Sequence, residues 1–183
     1  MFEQEQLPER AQTLPDTFND PDLRARVLSA YFDTARCLET ADIRVEQSDG
    51  KEELVSRGIF SILESCYIRS TGHFNAVEFN ICYNQIMYDA IAHASKYGLT
   101  AHFSSWGVEG FFARQLPDIL ITKFHSRFSR PIDSTRFRGE FAIRSARLYR
   151  ATQPFLFLKT ICRFFDDACG EAVGEVDLAI RNP

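Results

Sequence analysis

The segment 74–98, FNAVEFNICYNQIMYDAIAHASKYG, decides the fold. Residues 76–97 contain neither Gly nor Pro, Asn75 is a favourable N-cap with Glu78 at capping-box spacing, and Gly98 suits a C-terminal cap. Apolar side chains lie on nearly all sides of this helix: Val77, Phe79, Ile81, Tyr83, Ile86, Met87, Tyr88 and Ile91. A helix that is apolar all round is buried all round, so the sequence predicts one long central helix.

The flanking segments predict a sheet around this helix. Before it, a short helix starts at Asp20–Pro21, and ADIRVEQSDGKEELVSRGIFSILES reads as a hairpin with its turn at SDGK and a second strand that runs on to the segment's end. After it, residues 99–117 form a mobile connection in which three aromatic side chains, Trp106, Phe111 and Phe112, lie near each other, and four alternating stretches in 118–182 predict four antiparallel strands.

This order of elements predicts an α+β domain in which an antiparallel sheet wraps round one long buried helix, the hotdog architecture. We expect residues 1–18, which are polar and contain Pro8 and Pro15, to be a flexible tail. Residues 19–183 are then a single domain, which is an ordinary size for one core.

Charge and composition limit the function classes. The net charge of −4 argues against nonspecific nucleic-acid binding, although residues 123–150 hold Lys123 and seven arginines against two acids. These strands are either solvated faces or a surface for phosphates or an acidic protein. The 17 phenylalanines form an aromatic core, and some of them are expected to line a cavity for an apolar chain.

Location and cofactors are predicted from what the sequence lacks. The N-terminus has no signal-peptide pattern, no apolar run is long enough to span a membrane, and the five cysteines form no CxxC pair. We therefore expect a cytoplasmic protein with reduced, mostly buried thiols, among them Cys66 in a strand core. No nucleophile elbow, metal motif or phosphate loop is present, so we expect no metal and no cofactor beyond the phosphopantetheine of a substrate.

The stretch Glu64–Tyr88, ESCYIRSTGHFNAVEFNICYNQIMY, closely resembles the signature of the FcoT-type thioesterase family of hotdog proteins, and SRFSRP and GEVDLAIRNP are similar to later parts of that family. The resemblance runs from about residue 20 to the C-terminus. It implies one or both of two activities: hydrolysis of long-chain acyl-CoA, or addition of glycine to a (2E)-enoyl acyl carrier protein (ACP) followed by release of a 3-[(carboxymethyl)amino] fatty acid, as in isonitrile lipopeptide biosynthesis.

Either reaction needs an oxyanion to be stabilised at a thioester carbonyl. The TGHFN turn at the start of a buried helix offers backbone N–H groups and the positive helix end, and Gly72 permits close approach. His73 is the candidate general base and acid, because histidine titrates near neutral pH. Arg69, with Ser70 and Thr71 beside it, can bind a glycine carboxylate. Each residue also has a structural alternative: a turn, a cap or an ion pair with Glu64 or Glu78.

Three further residues are catalytic candidates, and the resemblance adds weight to each: Tyr67, Asn75 and Asn84 match positions discussed as active-site residues in the family. Asn84 lies about two and a half helical turns beyond Asn75 and points away from it, toward a partner subunit or an acyl tunnel. The structural alternatives are a packed tyrosine ring, a helix cap and a hydrogen bond to the sheet.

Partners follow from the same interpretation. Arg127, Arg130, Arg136 and Arg138 are candidates to dock an acidic acyl carrier protein or CoA, and SSWGVEGFF is a candidate lid over the acyl chain. We expect no membrane span and a homo-oligomer, either a dimer or a trimer of dimers. An enoyl hydratase on the same fold and a noncatalytic acyl-binding protein remain alternatives to the enzyme.

Overall fold

The computed structural model describes residues 16–48, 50–69, 72–150 and 152–183. Its centre is helix α2, Ala76–Tyr97, which begins and ends where the sequence predicts. Asn75 and Glu78 form a reciprocal capping box, and Gly98 ends the helix in the left-handed conformation with φ of 65°. Tyr83, Ile86, Ala90 and Ile91 are fully buried against the sheet and its surroundings.

Six antiparallel strands form one sheet around this helix in the order β1-β2-β4-β5-β6-β3. Their bounds are β1 Leu38–Ser48, β2 Lys51–Phe60, β3 Ile119–Arg130, β4 Phe137–Tyr149, β5 Phe155–Phe165 and β6 Glu171–Arg181. The hairpin β1–β2 precedes α2, and β3 crosses over to pair with β6 at the far edge. This topology confirms the predicted α+β hotdog fold, with the helix enclosed by one curved sheet.

Interlocked phenylalanine rings fill the space between the N-terminal half of α2 and the sheet. Phe164 packs edge-on against Phe79 at 4.8 Å and contacts the rings of Phe60 and Phe137. Gly139 and Gly174 leave the room that these rings need, because an added Cβ would lie 2.6 Å from Phe60 and 2.7 Å from Phe79. These side chains are packed core; the expected acyl cavity does not lie among them.

Two additional helices cover the C-terminal half of α2. Helix α1, Pro21–Leu28, is capped by Asp20 as predicted, and helix α3, Gly107–Arg114, packs against α2. The predicted mobile connection is therefore wrong: Phe103, Trp106 and Phe111 are buried, so their apolar area holds the segment in place. It also lies at the opposite end of α2 from Asn75, which excludes SSWGVEGFF as a lid over that end.

Four smaller expectations need correction. Strand β2 ends at Phe60 because the chain leaves the ladder, with the N–H of Ile62 bonded to the carbonyl of Ser134. Cys66 is exposed in the following loop and is not a strand core residue. Phe18 is buried and bridges to Ile43, so the domain includes it, while residues 1–15 of the predicted tail lie outside the described residues. The helix α2 is not buried on every side, since Val77 is 48% exposed.

Candidate active site

The start of helix α2 brings together Tyr67 and Asn75, two of the predicted catalytic residues. The Asn75 side-chain oxygen accepts hydrogen bonds from the backbone N–H groups of Val77 (3.0 Å) and Glu78 (3.3 Å). The Tyr67 hydroxyl donates a third bond to the same oxygen at 2.8 Å. Since three donors meet at one oxygen, the amide orientation is determined, and Asn75 has only its N–H₂ group left to offer a ligand.

A pocket of about 380 Å³ opens at this point between the start of α2 and the end of β3. We call it the N-cap pocket; its described lining residues are His73, Phe74, Asn75, Ala76, Phe128, Ser129, Arg130 and Pro131. Its walls are mainly apolar, while His73, Asn75 and Arg130 supply nitrogen groups. An apolar pocket with a few converging polar groups is the usual form of a small-molecule site.

The loop before α2 is placed by one glycine and one buried ring. Gly72 has φ of 76°, a left-handed conformation in which any larger residue is strained, and open space surrounds its Cα. Phe74 is buried in the ring cluster, and its N–H bonds the carbonyl of Ile132 at 3.1 Å. These contacts hold His73, between them, at the mouth of the pocket. Ser70 and Thr71, which were predicted to bind substrate, lie outside the described residues.

Arg69 and Asn84 are not brought into the N-cap pocket by the described structure. Arg69 is exposed and is not among the described residues that line the pocket. Asn84 is half-buried farther along α2, where its amide nitrogen lies 3.4 Å from the Asn80 side-chain oxygen. The prediction that Asn84 points away from the cap, toward a partner subunit or an acyl tunnel, stays a prediction.

The four arginines predicted to dock a carrier occupy different surroundings. Arg138 forms an ion pair with Asp167, and Arg136 lies near the same acidic turn. Arg127 faces the outer surface of the sheet, in a groove that also contains Glu140 and Glu175. Arg130 lines the N-cap pocket itself. The four residues therefore do not form one surface, and among them Arg130 is the one that shares a pocket with His73 and Asn75.

Sequence reasoning missed the parts of the pocket that come from distant segments. Phe74 and Phe128, whose ring centroids are 6.3 Å apart, form its apolar wall. Ser129 is the extra residue of a β-bulge, since Phe128 pairs with Ala172 while Arg130 pairs with Glu171. The motif SRFSRP includes Phe128, Ser129 and Arg130, but the sequence alone predicts neither the bulge nor the approach of β3 to α2.

Neither a metal-ligand cluster nor a membrane-spanning helix is found in the described part of the chain. Across residues 16–48, 50–69, 72–150 and 152–183, no three His, Cys, Asp or Glu side chains are grouped as metal ligands. Within the same ranges, no helix is both long and apolar enough to cross a membrane. The polar side-chain groups of the described lining of the N-cap pocket are an imidazole, an amide, a hydroxyl and a guanidinium.

Comparison with known proteins places these features in a family. The FcoT-like thioesterase domain profile matches residues 26–180. A "(2E)-enoyl-[ACP] glycyltransferase" of Streptomyces coeruleorubidus is 43% identical over 165 residues, covering 89% of this chain and 98% of that protein. A protein of the same name from Mycobacterium marinum is 38% identical, covering 88% of this chain and 86% of that one.

A solved structure described as a candidate thioesterase from Shewanella oneidensis has 10% identity and a TM-score of 0.48, covering 88% of this chain and 98% of that one. The profile spans the central helix, the N-cap pocket and the sheet, and it confirms the family that the signature around Asn75 predicted. This chain belongs to the family of FcoT-like thioesterase domains.

Proposed function

We propose that this enzyme adds glycine to the β-carbon of a (2E)-enoyl chain carried by an acyl carrier protein, then hydrolyses the thioester to release a 3-[(carboxymethyl)amino] fatty acid. The names of the curated relatives at 43% and 38% identity support the first step, and the thioesterase-like domain supports the second. The structural observation that carries the proposal is a pocket at the start of α2 in which His73 and the Asn75 amide face one apolar space.

Addition places negative charge on the thioester oxygen. The glycine nitrogen attacks the β-carbon, a C–N bond forms, and the electrons of the C=C bond move to give an enolate on that oxygen. The free N–H₂ of Asn75 and the positive end of α2 are suited to stabilise this charge. Tyr67 acts as a positioning residue, because its hydroxyl holds the Asn75 oxygen and so keeps the N–H₂ group turned outward.

Two protons must move during addition. Glycine must lose one from its ammonium group before attack, and the α-carbon must gain one afterwards. His73 lies at the pocket and can accept the first and donate the second, which is the usual role of an imidazole near neutral pH. In the second step, water attacks the same carbonyl, a tetrahedral oxyanion forms at the Asn75 amide, and the C–S bond breaks to release the carrier thiol.

The partners and location follow from this reaction. An acyl carrier protein and glycine are the proposed substrates, and no cofactor is proposed apart from the phosphopantetheine that the carrier supplies. All five cysteines, Cys37, Cys66, Cys82, Cys162 and Cys169, are unpaired, which fits the reducing cytoplasm. Arg136 is retained as a candidate for carrier docking because it lies at the same end of the sheet as the pocket.

We also propose a homodimer that forms through the edge strand β3. This strand has β6 on one side and no described strand on the other, whereas Phe18 covers part of the opposite edge at β1. The side chains of Leu120, Ile121 and Phe128 on β3 remain exposed by about two-fifths. A long, partly apolar edge is a surface that pairs with another strand. Three such dimers could further assemble into the trimer of dimers considered above.

The decisive experiment is mass spectrometry of the products from a medium-chain (2E)-enoyl-ACP, incubated with the enzyme in the presence and absence of glycine. We expect a free acid that carries the added glycine and appears only when glycine is present. His73→Ala should abolish the adduct, while His102→Ala, an exposed histidine at the other end of α2, should not.

Other outcomes of this experiment identify the alternatives. Equal release of unmodified enoic acid in both samples would mean a plain acyl thioesterase. Retention of the intact acyl-ACP without turnover would mean an acyl-binding protein. A 3-hydroxyacyl product would mean an enoyl hydratase.

A further inference from the structure

Arg130 occupies an unusual position on the edge of the sheet. It is the last residue of β3 and directly follows the bulged residue Ser129. A bulge breaks the strict alternation of a strand and commonly re-aims a side chain next to a functional site. Arg130 lies beside His73 and Asn75 in the lining of the N-cap pocket, although it comes from a segment more than fifty residues away in sequence.

The positive charge of Arg130 is not neutralised within the described part of the chain. Its partner in the ladder is Glu171, but the carboxylate of Glu171 is held by Arg163 at 2.7 Å. Arg163 also approaches Glu140, so that acid is engaged as well. Among residues 16–48, 50–69, 72–150 and 152–183, no ion pair or hydrogen bond engages the Arg130 guanidinium. An arginine in this state is available to a ligand.

The surroundings of Arg130 favour an anion. None of the described residues lining the pocket is an Asp or a Glu, and most of its wall is apolar, including Phe128 and Pro131. Helix α2, 22 residues long, directs its N-terminus at the same space. The positive end of this helix adds to the charge of the guanidinium.

We propose that Arg130 binds the carboxylate of the amino-acid nucleophile and thereby selects an α-amino acid over a simple amine. This inference rests on the proposed function and assigns the second substrate to a particular residue. A guanidinium holds a carboxylate through two parallel N–H···O bonds, which orients glycine as well as attracting it. With the carboxylate held at Arg130, the glycine nitrogen faces His73 and the thioester region beside Asn75.

Two other assignments fit the structure less well. The phosphate of the carrier's phosphopantetheine arm is separated from the thioester by a long chain of single bonds, so it lies outside a pocket of about 380 Å³ that also holds the thioester. Arg69, which the sequence suggested for the glycine carboxylate, is absent from the described lining of the pocket. Arg130 is therefore assigned to the small substrate and not to the carrier.

Steady-state kinetics of Arg130→Gln test this assignment, with (2E)-enoyl-ACP as acceptor and either glycine or glycinamide as nucleophile. Glycinamide retains the amine and the size of glycine but has no carboxylate. We expect the KM for glycine to rise about 10- to 100-fold in the variant, the loss expected for a bidentate charged contact. The KM for enoyl-ACP and the kcat/KM for glycinamide should stay at wild-type values, so the preference for glycine over glycinamide collapses.

Two variants serve as controls. Arg130→Lys keeps the charge but loses the planar fork, and it should recover part of the preference for glycine. Arg150→Gln removes an exposed arginine that directly follows β4 and lies outside the N-cap pocket, and it should leave the KM for glycine unchanged. Arg130 is exposed, so thermal melting of all three variants should match wild type.

Three results would overturn the assignment. The first is an unchanged KM for glycine in Arg130→Gln; the second is a rise confined to the KM for enoyl-ACP, which would make Arg130 a carrier contact. In both cases wild type still forms the glycine adduct, so the proposed function stands while this inference fails. The third is a wild-type enzyme that hydrolyses the thioester but forms no adduct with either amine, which would remove the proposed function and this inference together.

Discussion

Asn75 serves the fold and the pocket with different atoms of one side chain. Its oxygen caps helix α2 and accepts the Tyr67 hydroxyl, so that atom is committed to structure. Its nitrogen has no partner among the described residues and is left for a ligand. Because the capping bonds determine which way the amide faces, the donor is held in place before substrate binds, and such preorganisation is what makes an oxyanion donor effective.

Asn75→Asp separates these two roles, because an aspartate caps a helix as well as an asparagine does but has no N–H to donate. We expect kcat for adduct formation to fall about 100- to 1000-fold, the usual loss when one oxyanion donor is removed. The melting temperature should stay close to wild type, which circular dichroism would check.

Tyr67→Phe should lower kcat less than Asn75→Asp does, by about tenfold, because it removes the hydrogen bond that positions Asn75 and leaves the N–H₂ donor present.

A variant Asn75→Asp that kept the wild-type rate would show that this amide does not contact the reacting oxygen. One that unfolded would show that aspartate does not preserve the cap at this position, and Tyr67→Phe would then be the remaining test of the donor.

The joint between helices α1 and α2 depends on buried polar groups. The N–H of Asp20 donates to His93 Nε2 at 3.1 Å, and His93 Nδ1 lies 2.8 Å from the carbonyl of Asp89. Nε2 therefore accepts and Nδ1 carries the hydrogen, so His93 is neutral, and burial lowers its pKa. The Asp20 carboxylate binds Lys96, Tyr97 and the N–H of Leu23, and these bonds hold its pKa well below the ordinary value.

Asp89 is a buried carboxyl group near the contact between α1 and α2, and its surroundings disfavour ionisation. Its side chain is fully buried, and neither carboxylate oxygen has a hydrogen-bond partner among the described residues. Burial raises the pKa of Asp89 to about 7, an effect that nearby Arg24 opposes only in part. The folded protein consequently binds a proton at Asp89 more tightly than the unfolded chain, whose aspartate has a pKa near 3.8.

The sign of the pH dependence follows from this difference. The stabilising contribution of protonated Asp89 is complete below about pH 4 and is lost as the pH rises through 7, an effect of several kcal/mol at most. The side chain of the Asp89→Asn variant cannot ionise. The difference in melting temperature between this variant and wild type should therefore increase in favour of the variant as the pH rises from 5 to 8, as measured by scanning calorimetry. The lowered pKa of His93 acts in the opposite sense, and because His93 Nδ1 lies 3.5 Å from Asp89 Oδ1, the comparison reports on the two groups together.

Asp22→Asn is the matched control, since Asp22 is exposed in the first turn of α1. Its difference from wild type should vary little across the same pH range. If Asp89→Asn instead lost stability relative to wild type as the pH rose, then Asp89 is ionised and satisfied in the native protein.

At the scale of the whole molecule, the two edges of the sheet differ. Edge β1 is bridged by Phe18, while β3 exposes a 12-residue edge beside the N-cap pocket. A second chain added along β3 would extend the sheet and bring its own surface close to Phe128 at the pocket mouth. Such an isologous interface has two-fold symmetry, in which the same surface of each protomer faces the other.

Leu120 and Leu148 provide a matched pair for testing the dimer, because both are 41% exposed leucines but only Leu120 lies on the edge strand. We expect wild type to sediment at twice its 21.0 kDa chain mass. Leu120→Lys should shift the protein toward monomer in analytical ultracentrifugation, because an edge lysine opposes strand pairing. Leu148→Lys should remain dimeric. Equal behaviour of the two variants would place the interface elsewhere or show that none exists.

Local signals were enough for the central elements of this protein. The capping box at Asn75 and Glu78, the absence of breakers over 76–97 and the Gly98 cap act within a few residues of each other, so helix α2 could be predicted to its ends. The same short range placed Tyr67 near Asn75, since only a loop separates them. The motif around Asn75, which closely resembles the family signature, also identified the family.

Tertiary structure decided the rest, because those features depend on residues distant in sequence. The sequence around Phe103, Trp106 and Phe111 predicts a mobile aromatic loop. In the structure these three side chains are buried because the segment packs against helix α2. Arg130 reads as one of several strand arginines until the Ser129 bulge and the crossover of β3 bring it to His73. The sequence by itself determined the central helix and the family; packing between distant segments decided which side chains share the pocket.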